Sequence, residues 1–453
     1  MNKIALPTIL PVERPEWKKC FIAALMIATT ACIGYGLERT ETAALFGLYG
    51  LLFAGYVYLL LRPQPSDGQV YFFVLTGIAM RVVLLFSFPN LSDDIYRFVW
   101  DGRLIVNGFN PFNQLPSDYI REGVLPPGLT PELFAKLNSP DYFTVYPPVA
   151  QAIFWFACYL SPNSVAGSAV VMKIILLAAE TGTLILLLRL LRHFELPVSR
   201  VLIYALNPLI VLEISGNLHF EGLMVFFLML AFYWLNQARD LRAVLAMAFS
   251  IASKLLPLLF FPLLIRRLGW KRAFVFFSLT GLLVLLSFAP LLNTVFLNNF
   301  GASLNLYFRQ FEFNAGFYYL LREIGEHYSG QNLIRFIGPG LAVLTALIVL
   351  FKALFERNVS WQTLPHAALF AISTYLLLAT TVHPWYTALP LVWCLFTRWR
   401  YPVVWTALIF LTYAGYGPDK FQESYGIVEL EYAGVLACLI WESRFKSSLS
   451  TPK

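Results

Sequence analysis

Three carboxylates and a guanidinium fall within nine residues at Asp93-Asp94-Ile95-Tyr96-Arg97-Phe98-Val99-Trp100-Asp101, in a chain where only 13% of residues are charged. Wound as a helix, this stretch puts Asp94, Arg97 and Asp101 on one face and Ile95, Phe98, Val99 and Val106 on another. That is the pattern of an amphipathic helix lying on a membrane surface. Asp93 and Arg97 are four apart, close enough to pair. A carboxylate partly desolvated beside apolar rings is suited to act as a general base, with Arg97 orienting it or binding an anion. A solvated face with ordinary ion pairs fits the same pattern.

Four more constellations carry polar groups where polarity is costly. Asn217-Leu218-His219-Phe220-Glu221 sits at the lip of an apolar run, and His219 there could hold phosphate or cap a helix. Lys254 lies amid Ile251, Leu255, Leu256 and Leu258; it must pair with an acid such as Glu213 or Glu180, or hold a phosphate. In His383-Pro384-Trp385-Tyr386 the proline breaks the helix, and the aromatic belt at a membrane interface accounts for Trp385 and Tyr386, leaving His383 as the informative residue. Asn107-Gly108-Phe109-Asn110-Pro111-Phe112 and Tyr146-Pro147-Pro148 are turn signals whose aromatic residues could stack on a sugar ring. Arg81 and Lys173 are lone charges inside apolar runs. Arg309 and Glu312 add charge to a later loop.

The elements that must position these groups are membrane helices. Of 453 residues, 58% are hydrophobic, and the mean hydropathy is +0.66. Soluble domains have about 45–50% apolar and about 25% charged residues. Apolar runs cover about 20–36, 43–61, 70–88, 148–160, 165–191, 201–216, 220–235, 243–265, 273–297, 333–355, 363–381, 385–397, 401–416 and 426–441. Many approach the roughly 20 residues that cross a bilayer as helix. The fold expected is an all-α polytopic transmembrane bundle of about twelve to fourteen helices, one integral membrane domain over residues 1–453. A cleaved leader is not expected, because the first run belongs to this set. The net charge of +7 sits in short connectors, the positive-inside pattern of a membrane protein rather than a nucleic-acid footprint. The five cysteines are scattered and form no CxxC pair, so they read as small hydrophobes. No Walker loop, no GxGxxG after a strand and no HExxH is present.

Lys18, Lys19 and Arg62 place the N-terminus and the second connector in the cytoplasm, so the third span exits and residues 89–147 form a first large external loop. That loop holds seven acids and four bases. The 148–160 run is short and starts at Pro148, and reads as an outer-face or re-entrant helix. The 243–265 run is flanked on both sides by arginines and contains Ser253-Lys254, Pro257 and Pro262. It reads as two short helices that dip in and return, with Lys254 near the turn. A second external loop covers about 298–332. With this topology most of the odd polar residues, Asp93, Asp94, Tyr146, Asn217 to Glu221, Arg309, Glu312 and His383 to Tyr386, fall at one outward face, with Lys254, Arg81 and Lys173 as exceptions.

Together these motifs resemble those of the GT-C glycosyltransferases that use polyprenyl-phosphate sugars, in the bacterial and archaeal branch related to mannosyltransferases. The residues that carry the likeness are Asp93-Asp94, Tyr96-Arg97, Trp100-Asp101-Gly102, Gly108, Asn110-Pro111-Phe112, Tyr146-Pro147-Pro148, Lys254 with Pro257, and His383 to Tyr386. Glu221 departs from the branch's usual Asn-x-His-x-Asp. The resemblance implies an inverting transfer of a hexose, mannose foremost, from a polyprenyl-phosphate donor to a lipid or glycan acceptor, on the extracytoplasmic side of a plasma membrane. Asp93 or Asp94 would be the base. Arg97, Asp101, Tyr146, His219, Glu221, Lys254, Arg309, His383 and Tyr386 would bind substrate or its phosphate. The wider fold includes members that use a divalent cation, magnesium or manganese, and members that do not. Two other classes fit less well. A transporter or flippase of lipid-linked sugars would need its key charges near mid-membrane, and a ligase or polymerase using diphosphate donors would show more external arginines.

Overall fold

A computed structural model describes residues 12–62, 66–417 and 421–445. Among them the regular elements are all helical, with two isolated β-bridges at Phe313–Thr381 and Tyr416–Phe421. The first eight helices are α1 (Trp17–Gly36), α2 (Thr42–Leu61), α3 (Asp67–Val83), α4 (Asp94–Val106), α5 (Pro116–Glu122), α6 (Pro131–Phe134), α7 (Pro148–Leu160) and α8 (Val165–His193). Among the described residues five helices are long and apolar enough to cross a membrane: α1, α2, α8, Trp270–Leu291 and Ile334–Phe355. Val198–Ala205 with Pro208–Gly216, bent by 51°, makes a sixth if counted as one broken span. The other apolar runs fold as shorter helices, such as α7, Glu221–Asn236, Leu364–Leu378 and Tyr401–Gly415. Prolines account for several of the breaks: Pro208, Pro257, Pro384 and Pro402 each open a new turn, because proline lacks the donor that would continue the preceding one. The protein is a membrane protein built as a helical bundle.

Burial ranks the helices. The apolar window of α8 is 56% buried, against 22–28% for the other four long helices, so α8 is central and those four are peripheral. The 243–265 run breaks where expected. Asp240–Ser253 ends at Lys254, whose backbone is extended, and a 3-10 turn leads into Phe261–Leu268. Arg272 Nη2 lies 2.9 Å from Asp240 Oδ2, so the two flanks of the dip meet at one end.

The end of α3 is fixed by buried charge. Arg81 Nε and Nη2 donate to Glu180 Oε2 on α8 at 3.1 and 3.0 Å, and both side chains are fully buried. Tyr204 donates to the other oxygen of Glu180 at 2.8 Å. One turn earlier, a Cβ on Gly77 would stand 2.4 Å from the Ala205 carbonyl, so this approach of backbones needs glycine. Lys173, also on α8, donates to the carbonyls of Leu84 and Ser87 at 2.9 and 2.6 Å and to Ser87 Oγ at 2.9 Å. It caps the C-terminal end of α3, where a cation is favourable. Arg81 and Lys173 therefore hold the chain that leads to Asp93. Losing one partner of a buried pair costs about 3–5 kcal/mol. Arg81→Met should thus lower the thermal midpoint in detergent strongly, and Arg81→Met with Glu180→Met should recover part of that loss.

Candidate functional site

The loop after α3 is not a free surface segment. Nine of the thirteen residues of α4 are buried, including Arg97, Asp101 and Arg103. The helix is therefore packed within the protein rather than carrying a solvated face, and the Asp93–Arg97 pair that the spacing allows is replaced by Arg97–Asp101 and Arg39–Asp93. Arg97 Nε donates to Asp101 Oδ1 at 2.9 Å, and its Nη1 donates to the carbonyls of Ser139 and Tyr142, both at 2.9 Å. Gln151 on α7 donates to Asp101 Oδ2 and Thr144 Oγ1, each at 3.0 Å. This network folds the 138–147 segment back over the polar face of α4. Gly102 lets α7 close in: a Cβ there would meet the Phe154 carbonyl at 2.4 Å and Cys158 Sγ at 2.7 Å.

Beside this unit lies a cavity of about 520 Å³, within the roughly 300–1,000 Å³ usual for small-molecule sites. Asp94 opens α4 and faces it, about one-fifth exposed. Its Oδ1 accepts from Asn138 Nδ2 at 2.8 Å, and its Oδ2 lies 3.4 Å from the Tyr146 hydroxyl and 3.9 Å from His219 Nδ1. Asp93, on the same cavity, makes an ion pair with Arg39 from the α1–α2 connector. The Arg39 guanidinium also sits 4.6 Å over the Tyr416 ring. On the same cavity's wall Lys254 pairs with Glu221 and lies 5.1 Å over Tyr386. The expected partners Glu213 and Glu180 are engaged elsewhere.

Trp385 is stacked between two imidazoles, His219 at 3.3 Å and His383 at 4.6 Å between ring centroids. His383 lies in the loop after Leu364–Leu378. Burial, then the charges of Lys254 and His219, push it down to about 3, so this ring is neutral at ordinary pH. The loop is held from below: Phe313 N donates to Thr380 O at 3.1 Å, Val382 N to Phe313 O at 2.8 Å, and the Phe313 ring lies 4.6 Å from His383.

The structure thus brings Asp93, Asp94, Arg97, Tyr146, His219, Glu221, Lys254, His383 and Tyr386 to one cavity. Asp101 lies behind it, fully buried against Arg97. Arg309, exposed at the end of Phe296–Arg309, does not line it. The Asn110-Pro111-Phe112 turn is also outside it: Asn110 Oδ1 accepts from Phe112 N at 3.0 Å, and Phe112 packs with Phe288, Leu291 and Phe296. Arg39, Asn138, Tyr413 and Tyr416 line the cavity, and residue type and spacing alone do not single them out. Arg39 carries a signal, since its connector lies on the same side as the Asp93 loop when spans alternate. Among the described residues no three His, Cys, Asp or Glu side chains converge as metal ligands.

The dependence of this site on the α4–α7 contact is open to test. Gly102→Ala drives a methyl into a backbone carbonyl, and overpacking of this kind costs about 1–3 kcal/mol. A fall in thermal midpoint is expected, where Gly108→Ala, with open space at Cβ but a positive φ of 80°, should show only the smaller strain of its turn.

Two comparisons bear on identity. A stretch of 154 residues is 27% identical to the Alpha-(1->6)-mannopyranosyltransferase A of Corynebacterium glutamicum, covering 33% of this chain and 29% of that protein. The chain therefore spans less than a third of the length of that curated relative. Residues 19–268 match the MptA_B family, described as Alpha-(1->6)-mannopyranosyltransferase, N-terminal domain. The matched region holds Asp93, Asp94, Tyr146, His219, Glu221 and Lys254 and exceeds half of the 453 residues. By that match the chain belongs to the MptA_B family.

Proposed function

We propose that this protein is a multi-pass membrane glycosyltransferase, and that it moves a hexose, mannose by family, from a polyprenyl-phosphate donor to a lipid or glycan acceptor. In this reading the cavity opens on the extracytoplasmic side and the anomeric centre is inverted. The observation that carries the proposal is the position of Asp94. It stands at a helix N-terminus in a cavity sized for a sugar ring, oriented by Asn138 and Tyr146, with Arg39, Arg97 and Lys254 lining the same cavity.

The steps follow from charge. Asp94 takes the proton of the acceptor hydroxyl as that oxygen attacks the anomeric carbon. The bond from that carbon to the phosphate oxygen breaks, and the electron pair leaves on polyprenyl phosphate. Arg39 and Lys254 are placed to neutralise that developing charge. Arg39 is well suited to this role. Of its five N–H groups the structure shows, among the described residues, only Nη2 bonded, to Asp93, whereas Arg97 has its guanidinium taken up by Asp101, Ser139 and Tyr142. Tyr146 and Tyr386 line the same cavity and offer rings for the sugar. A flippase would need to carry the same lipid-linked sugar through the bundle; the cavity's catalytic-type carboxylate favours transfer.

The test is transfer from a labelled polyprenyl-phosphate hexose in membranes bearing wild type, Asp94→Asn or Asp93→Asn. Removal of a general base costs about 10²–10⁴-fold. Asp94→Asn should fall by that amount. Asp93→Asn, which keeps the amide oxygen near Arg39, should fall less. Wild-type transfer by Asp94→Asn would contradict the assignment.

A further inference from the structure

Behind His219 lies a second carboxylate that the transfer reading does not use. Glu213 is fully buried on a short π-helical turn, Val211–Gly216, a local geometry that often marks functional sites. Its Oε1 accepts from the Tyr413 hydroxyl at 2.7 Å and its Oε2 from Asn217 Nδ2 at 3.2 Å. Among the described residues no lysine or arginine pairs with it; the basic side chain within reach is His219, whose Nε2 is 3.3 Å from Oε2. That nitrogen is buried and off the line of a hydrogen bond. Leu218, next to His219, has φ of 66°, a left-handed conformation costly for leucine. The face of the ring is clamped by Trp385.

The geometry points to Glu213 as a positioning residue that holds His219 against Asp94, so that Asp94, His219 and Glu213 act as a carboxylate–imidazole–carboxylate relay for the proton removed from the acceptor. This deepens the glycosyltransferase reading and rests on it. Glu213 accepts the Nε2–H of His219, which leaves the Nδ1 lone pair towards Asp94 Oδ2. Asp94 takes the acceptor's proton and passes it to Nδ1, regenerating its carboxylate. The imidazolium then stands between two carboxylates, which is where its charge is best compensated. The proton returns through Asp94, which is partly exposed, to water in the cavity. The 3.3 Å contact must come into line and the 3.9 Å gap must shorten on substrate binding, as hydrogen bonds of unliganded catalytic sites commonly do. A phosphate on His219 fits this setting poorly, since both neighbours of the ring are anions.

A double-mutant cycle in the transfer assay tests this: wild type, Glu213→Gln, His219→Asn and the double variant. Each single variant should lower kcat by about 10–100-fold with donor KM unchanged, and the double variant should be no slower than His219→Asn, because groups acting as a unit are non-additive. Additive losses, or a Glu213→Gln variant with wild-type kcat, would overturn the inference. Where Glu213→Gln does not fold, Glu213→Asp replaces it in the same cycle: non-additive losses support the relay, and additive losses or a wild-type kcat overturn it. Wild type without transfer would remove the glycosyltransferase reading and this inference together; an active wild type with additive losses would remove this inference alone.

Discussion

Charge inside an apolar bundle is costly unless it is paired or hydrogen-bonded, and this constraint organises the molecule. Arg81 with Glu180, and Lys173 with the carbonyls of Leu84 and Ser87, tie the end of α3 to the central helix α8. These contacts decide where the chain leaves the bundle, and so where Asp93 and Asp94 stand. The Arg97–Asp101 pair repeats the device one layer out. It draws the 138–147 segment down onto α4 and thereby delivers Asn138 and Tyr146 to Asp94.

The result is a division of labour among acids that are neighbours in sequence. Asp93 is matched by Arg39, Asp101 by Arg97 and Gln151, and Asp94 by neutral donors at the cavity edge. Two of the cations lining the cavity each carry a carboxylate partner and an aromatic ring, Asp93 and Tyr416 for Arg39, Glu221 and Tyr386 for Lys254. An arriving anion would exchange one partner for another rather than meet an empty wall.

Much of this was legible from residue types and spacing. The broken run around Lys254 announces itself through Ser253, Pro257 and Pro262, and its two flanks meet at Arg272 and Asp240. That His219 and His383 meet the acidic loop follows from placing their span ends on one face, whereas Lys254, expected deeper in the bundle, joins the same cavity only in the structure. What sequence does not carry is who covers whom. The helical period of residues 94–106 gives α4 a polar face, yet nothing local tells that a segment forty residues on will bury it. Glu213 reads as a lone acid in an apolar run, because its partner Tyr413 lies 200 residues away. Arg39 looks like any charge in a short connector until Asp93 and Tyr416 are seen beside it. The number of long helices was also out of reach, since apolar composition marks a run as membrane-compatible without showing where proline divides it.

Asn138 gives the most direct access to the central claim, that the Asp94 cavity faces outward and holds the donor. It is exposed, lines the cavity and bonds Asp94. In cells, a cysteine placed at 138 should react with a membrane-impermeant thiol reagent added from outside, and polyprenyl-phosphate hexose should slow that reaction. Labelling from the cytoplasmic side alone, or a rate indifferent to the donor, would contradict it.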